Sequence, residues 1–170
     1  MPGYWRDAAA FVAERRERRL GDRAVEGGTA VTWVIPGAGF GIHEWGWTME
    51  EVMQAVDRSP WVTRSQVPLT PAATIRMLTA LETYLETGSG SPYLQAMLVR
   101  IGIDTVLVRH DLDSDVAVAT PSNLVSVALA RSPGLRRVKS FGGARLRPGD
   151  RGVRGAAQPR RGGERRVRRP

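Results

Sequence analysis

The sequence predicts an α/β fold in which an open, mostly parallel sheet is flanked by helices. Segments with strand character alternate with segments of helical periodicity along the chain, an order typical of such sheets. The run TVLV at 105–108 is continuously apolar, as expected of a strand covered on both faces. Because few strands are predicted for a complete domain of this class, we expect the fold to be a piece of a larger one.

The first half of the chain predicts one long helix, one strand and a loop. An apolar stripe that includes Trp5 and Val12 predicts an amphipathic helix over 4–19. The β-branched and aromatic segment 29–35 predicts a strand that Pro36 ends. Residues 36–49 are rich in Gly and Trp and predict a loop, followed by a short helix over 50–56 and an extended piece over 61–69.

Three helices in the second half begin with the same signal. Thr70-Pro71, Ser91-Pro92 and Thr120-Pro121 each predict a hydroxyl N-cap followed by proline at the first helical position. Gly88 and Gly102 are predicted to end the first two of these helices. A weak edge strand is predicted over 135–141.

Charge divides the chain into a neutral body and a basic tail. We assign 1–28 to an N-terminal helix and linker, 29–141 to the α/β body and 142–170 to a tail. The tail contains ten Arg but one Asp and one Glu, so it carries the whole net charge of +8. Rich in Gly and almost free of large apolar residues, it is predicted to be disordered. The chain has 24 Arg and a single Lys, a bias typical of GC-rich DNA, so an out-of-frame reading also explains the tail.

Composition excludes several function classes. With no Cys and only two His, the chain has no disulfide scaffold, no Cys-ligated zinc and no thiol nucleophile. No aromatic residue lies between the arginines of the tail to stack on bases, so no nucleic-acid partner is predicted. The glycine-rich loop 37–41 is not followed by a helix start, so no bound nucleotide is predicted. No other cofactor is predicted either.

The first candidate binding site is the segment HEWGW at 43–47. The flat rings of Trp45 and Trp47 could pack on the C–H face of a sugar while Glu44 and His43 bond its hydroxyls. The alternative is that one of the tryptophans anchors the loop to the core.

The second candidate site follows the TVLV strand. Ligands of open α/β sheets bind beyond the carboxyl ends of the strands, which is where Arg109 and Asp111 are predicted to lie. Asp111, Asp113 and Asp115 have a spacing seen in metal loops, but they lack the Gly and Glu of an EF-hand. We therefore predict Glu44, Trp45, Trp47, Arg109 and Asp111 as substrate-binding residues, with no metal site and no catalytic residue.

An ordered series of motifs resembles the soluble extracytoplasmic region of the actinobacterial α-(1→3)-arabinofuranosyltransferases, large GT-C glycosyltransferases. The likeness is clear over 30–113, weaker at 4–20 and 114–141, and absent after 142. The series consists of Phe40, Trp45-Gly46, Met49-Glu50-Glu51, Ser59-Pro60-Trp61 with Arg64, Val67-Pro68-Leu69, Ile75-Arg76 with Leu78, Gly88-Ser89-Gly90-Ser91-Pro92, Arg100 with Gly102, and 106–112 (VLVRHDL). The chain departs from the family pattern at Trp47-Thr48, where Arg-Pro is expected, and at His110, where Asn is expected.

The resemblance implies transfer of arabinofuranose from a decaprenyl-phosphate donor to cell-wall arabinan or lipoarabinomannan. It also implies that the parent protein is located in the cell membrane. Its membrane helices, which this chain lacks, would hold this region at the extracytoplasmic face. No residue here matches the catalytic carboxylate of GT-C enzymes, so the chain is expected to be a non-catalytic fragment that contacts acceptor. The alternative is a stand-alone carbohydrate-binding or scaffold module without enzymatic activity.

Overall fold

The computed structural model describes residues 1–22, 30–64, 71–113 and 115–142. At its centre is a three-stranded parallel sheet formed by β1 (Val31–Ile35), β4 (Trp61–Val62) and β5 (Ile103–Val108). The strand order is β4-β1-β5. The predicted fold class is therefore confirmed. The tail from 143 onward, predicted to be disordered, lies outside the described residues.

Helices cover both faces of the sheet. Alternation along β1 sends Trp33 and Ile35 to one face and Val34 to the other, and all three are fully buried. On the Trp33 face pack α3 (Ala72–Leu85), α4 (Leu94–Arg100) and α5 (Ser122–Ala130). On the Val34 face pack α1 (Gly3–Asp22) and α2 (Val52–Val56). Among the described residues, no helix is long and apolar enough to cross a bilayer.

The segment predicted as a loop over 36–49 contains a β-hairpin instead. Its strands are β2 (Gly41–His43) and β3 (Gly46–Thr48), paired antiparallel with Ile42 opposite Trp47. Each strand has only three residues, too few for alternation to be visible in the sequence. Gly46 follows the turn with a positive φ of 146°, which explains a glycine there.

Two further predictions about local structure are wrong. Residues 135–141 form no strand; instead Phe141 and Lys139 contact Phe11 of α1, with the ring centroids of Phe141 and Phe11 5.6 Å apart. Pro71 and Pro121 occupy the N-cap position rather than the first helical position, and neither helix has a side-chain cap. Thr120 instead donates its hydroxyl to Glu86 at 2.6 Å.

The third start signal is also displaced from its helix. Ser91 Oγ accepts the backbone N–H of Tyr93 at 3.2 Å, but Tyr93 is the N-cap of α4, which begins at Leu94, so Pro92 is not its first residue. Gly88 and Gly102 follow α3 and α4 with positive φ of 66° and 81°, as expected of glycines after helix ends. Thr70 and the predicted extended residues 65–69 lie outside the described residues.

Candidate functional site

The carboxyl ends of the three parallel strands converge on one backbone segment, Pro36-Gly37. Arg109, which follows β5, donates its Nε to the Pro36 carbonyl at 2.7 Å. Arg64, which follows β4, donates an N–H to the Gly37 carbonyl at 3.1 Å. Both carboxylate oxygens of Glu82, on α3, accept the Gly37 N–H at 3.1 Å. Charged side chains therefore fix the chain where it leaves the central strand.

Glu82 is a buried carboxylate that the sequence analysis missed. Its Oε2 accepts Arg64 Nε at 3.0 Å. Burial raises the pKa of Glu82, and the Arg64 contact and the Gly37 N–H only partly offset that effect. A signal was present, because Glu82 lies four residues after the fully buried Leu78 on the apolar face of α3.

Arg109 forms a buried ion pair rather than facing solvent. Its Nη1 donates to Glu51 Oε1 at 2.5 Å, and the two side chains are 1% and 5% exposed. The same Glu51 oxygen accepts the N–H of Val52 at 3.2 Å and so caps α2. Arg109 thus joins the end of β5 to the start of α2.

Asp111 is the acceptor at the centre of an aromatic cluster. Its Oδ2 accepts hydrogen bonds from Tyr4 Oη, Trp5 Nε1 and Trp45 Nε1, each at 2.8 Å. His43 Nδ1 lies 3.5 Å from the same oxygen. Burial raises the pKa of Asp111, but the hydrogen bonds from Trp45, Trp5 and Tyr4, with His43 close by, outweigh that effect and hold the pKa far below its ordinary value. The carboxylate is therefore charged, and its Oδ2 is the oxygen that the protein holds from several sides.

The hairpin is docked on the chain that follows β5. Glu44 N donates to Asp111 O at 2.9 Å, and Asp113 N donates to Ile42 O at 3.0 Å. The Trp45 ring stacks on buried His43, with centroids 4.6 Å apart and planes inclined by 18°. Main chain and side chains together thus attach one face of the hairpin to the body.

The opposite side of the hairpin presents apolar residues to solvent. Trp47 is 79% exposed, and Phe40 and Met49, which flank the strands, are 70% and 98% exposed. Glu44, in the turn, is also exposed. Of these residues, Met49 also lines a groove of about 420 Å³ that lies between the end of the hairpin and α2 and includes Trp45 and Val52. We call the exposed residues Phe40, Glu44, Trp47 and Met49 the hairpin surface.

The five predicted substrate-binding residues thus fall into two groups. Trp45, Arg109 and Asp111 make internal bonds, whereas Glu44 and Trp47 lie on the hairpin surface. Asp113 Oδ1 accepts the N–H of Asp115 at 3.0 Å. Throughout the part of the chain that the structure describes, no three His, Asp or Glu side chains are placed to hold a metal ion. Sugar contact by the five residues stays a prediction.

Comparison with known proteins identifies the family. The sequence model of one protein family, the alpha-(1->3)-arabinofuranosyltransferase N-terminal GT-C domain, matches residues 1–160. The chain belongs to this family. The match extends 18 residues beyond 142, where the sequence analysis placed the end of the resemblance.

Individual arabinofuranosyltransferases are also similar to the chain. An alpha-(1->3)-arabinofuranosyltransferase of Mycolicibacterium smegmatis is 38% identical over 84% of this chain and 9% of its own length. The enzyme of that name from Mycobacterium tuberculosis is 34% identical over 84% of this chain and 10% of its own length. The chain therefore spans about a tenth of these relatives.

Solved structures agree with the sequence relatives. The cryo-EM structure of arabinofuranosyltransferase AftD from Mycobacteria matches with a TM-score of 0.69 and 36% identity, covering 87% of this chain and 11% of that one. One class of its R1389S mutant matches with a TM-score of 0.72 and 36% identity, covering 84% of this chain and 10% of that one. The α/β architecture thus recurs within a much larger arabinofuranosyltransferase.

Proposed function

We propose that this chain is a non-catalytic, acceptor-contacting region of a membrane arabinofuranosyltransferase. The enzyme would transfer arabinofuranose from a decaprenyl-phosphate donor to cell-wall arabinan or lipoarabinomannan at the extracytoplasmic face. Family membership favours this function over a stand-alone carbohydrate-binding module. The observation that carries the acceptor role is the hairpin surface, where Trp47 is exposed on a hairpin whose other face is firmly attached.

The hairpin surface suits a sugar chain for chemical reasons. The face of an exposed indole can cover the C–H side of a furanose ring, and a carboxylate beside it can accept hydrogen bonds from hydroxyl groups. Trp47 on β3 and Glu44 in the hairpin turn provide these two groups, three positions apart. One face of the hairpin is already bonded to the body, so the hairpin loses little conformational freedom when a ligand binds to the other face. This favours affinity.

Three carboxylates enclosed at the edge of the sheet support a non-catalytic role. Glu51, Glu82 and Asp111 are each held by internal donors, two of them by an arginine. A general base must reach the proton it abstracts, and these groups face other protein atoms instead. Transfer also needs the anomeric carbon of a lipid-linked donor and an acceptor hydroxyl oriented in one site.

Arabinan binding by the purified 170-residue chain tests the acceptor role. We expect an arabinan oligosaccharide to bind, and Trp47→Ala to weaken its affinity about tenfold, the order of magnitude of one lost aromatic contact. The matched control is Tyr93→Ala, which removes an equally exposed aromatic side chain just before α4. Absence of binding, or equal losses in both variants, would contradict the acceptor role.

A transfer assay tests the non-catalytic part of the proposal. With a decaprenyl-phosphate arabinose donor and an arabinan acceptor in detergent, the isolated chain should give no transfer product. Turnover by the isolated chain would overturn this part and direct attention to Glu44, the carboxylate on the hairpin surface.

A further inference from the structure

We propose that Asp111 is the positioning residue of the hairpin surface. One of its carboxylate oxygens links α1, the hairpin and the chain after β5, and so sets the orientation in which Trp47 and Glu44 meet a sugar. Asp111 would thereby control acceptor affinity without touching the acceptor. The inference rests on the proposed function for its sugar-binding consequence, but its structural part can be tested separately.

Three parts of the chain that are distant in sequence meet at this oxygen. Tyr4 and Trp5 come from the first turn of α1, 107 and 106 residues before Asp111. Trp45 comes from the hairpin turn, 66 residues before it. The three donors all lie at 2.8 Å, a good distance for hydrogen bonds to a charged acceptor. Removing the acceptor would leave three donors of two other elements without their common partner.

The position requires a carboxylate rather than any polar group of its size. A neutral amide oxygen is a weaker acceptor than a carboxylate oxygen for three simultaneous donors. Moreover, Asp111 Oδ1 is buried and has no hydrogen-bond partner among the described residues. The NH₂ group of an asparagine placed there would be buried without an acceptor, which adds a further cost.

The link to the hairpin surface is short. Trp45 is separated from Trp47 by Gly46 alone, so the bond that fixes the Trp45 indole also restrains the start of β3. The main-chain bonds of Glu44 and Asp113 hold the hairpin independently of the Asp111 side chain. Loss of the carboxylate should therefore loosen and reorient the hairpin while leaving it attached to the folded body.

The test compares Asp111→Asn with Asp113→Asn in the full chain. Asp113 is two residues away, and its carboxylate caps its own turn rather than contacting the hairpin, so it is the matched control. Hydrogen exchange of the Glu44 amide reports attachment of the hairpin, and exchange of the β1 amides reports the body. Titration with an arabinan oligosaccharide reports the hairpin surface.

We expect Asp111→Asn to speed exchange at Glu44 about tenfold or more and to weaken arabinan affinity to a similar degree, since it weakens bonds to a charged acceptor. Exchange in β1 should stay unchanged, and Asp113→Asn should alter neither readout. Trp47→Ala should weaken binding without faster exchange. In a full-length family enzyme, the substitution matching Asp111→Asn should raise the KM for arabinan and leave kcat unchanged.

Unchanged exchange at Glu44 in Asp111→Asn would overturn the inference, as would faster exchange with undiminished arabinan affinity. If Asp111→Asn does not fold, Trp45→Phe removes one donor and keeps an aromatic ring beside His43, and the same criteria apply to it. If the parent chain binds no arabinan while Asp111→Asn still loosens the hairpin, the proposed acceptor role fails and the structural part of the inference stands.

Discussion

Neutralising Glu51 should destabilise the body far more than neutralising its exposed neighbour. Glu51→Gln keeps an oxygen that can cap α2 at Val52, so the substitution chiefly removes the charge that faces Arg109. The guanidinium then remains buried without its carboxylate partner. Breaking a buried pair in this way costs about 3–5 kcal/mol.

The lower end of that range applies here, for two reasons. Arg109 Nε keeps its bond to the Pro36 carbonyl, and the charge of Arg109 still interacts with that of Glu82. We therefore expect a loss of about 3 kcal/mol, a large share of the roughly 5–15 kcal/mol typical of a folded domain.

Urea denaturation followed by far-UV circular dichroism measures this difference. The control Glu50→Gln alters an exposed side chain and should shift the free energy of unfolding by less than about 0.5 kcal/mol. The double variant Glu51→Gln with Arg109→Met buries no charge there and should recover part of the loss. A value for Glu51→Gln within about 0.5 kcal/mol of the control would refute the interpretation of Arg109 as a buried, paired charge.

Gly37 and Asp111 also contribute to the stability of the fold. A Cβ on Gly37 would lie 2.2 Å from the Arg64 carbonyl oxygen, so Gly37→Ala should lower the free energy of unfolding by about 2 kcal/mol, whereas Gly3→Ala, where nothing lies within 4 Å, should not lower it. Urea denaturation of both variants checks this, and equal effects would contradict it. The lowered pKa of Asp111 means that, below the ordinary Asp pKa, the unfolded chain binds a proton that the folded chain does not, so stability falls as the pH falls. Thermal melts between pH 5 and 2 should show a shallower decline for Asp111→Asn than for the exposed control Asp7→Asn; parallel declines would contradict it.

Periodicity and composition predicted the sheet and its helices because these elements depend on local pattern. The apolar positions of α3 and the β-branched run of β1 can be read within one segment. The hairpin was missed because its three-residue strands are stabilised by contacts with 111–113, far along the chain. Prolines after hydroxyl residues marked the helix starts to within a residue or two, but not the cap geometry.

The candidate site was harder to predict because burial of charge is a tertiary property. Asp111 follows a strand and was therefore expected to face a ligand, but Tyr4 and Trp5 from the other end of the chain enclose it. Arg109 was also expected to face a ligand. Its ion pair with Glu51 could not be predicted from local sequence, because Glu51 lies 58 residues away. Sequence spacing placed these residues at the correct edge of the sheet, and only the packing of α1 and α2 determined which way they point.

Direct contact between Trp47 and an arabinan chain is the most informative single measurement. The chain labelled with 5-fluorotryptophan gives one ¹⁹F resonance for each of its five Trp residues, assigned by single Trp→Phe substitutions. During titration with an arabinan oligosaccharide, we expect the Trp47 resonance to shift saturably while that of the fully buried Trp33 stays fixed. A Trp47 resonance that does not move at saturating oligosaccharide would contradict an acceptor-binding hairpin surface.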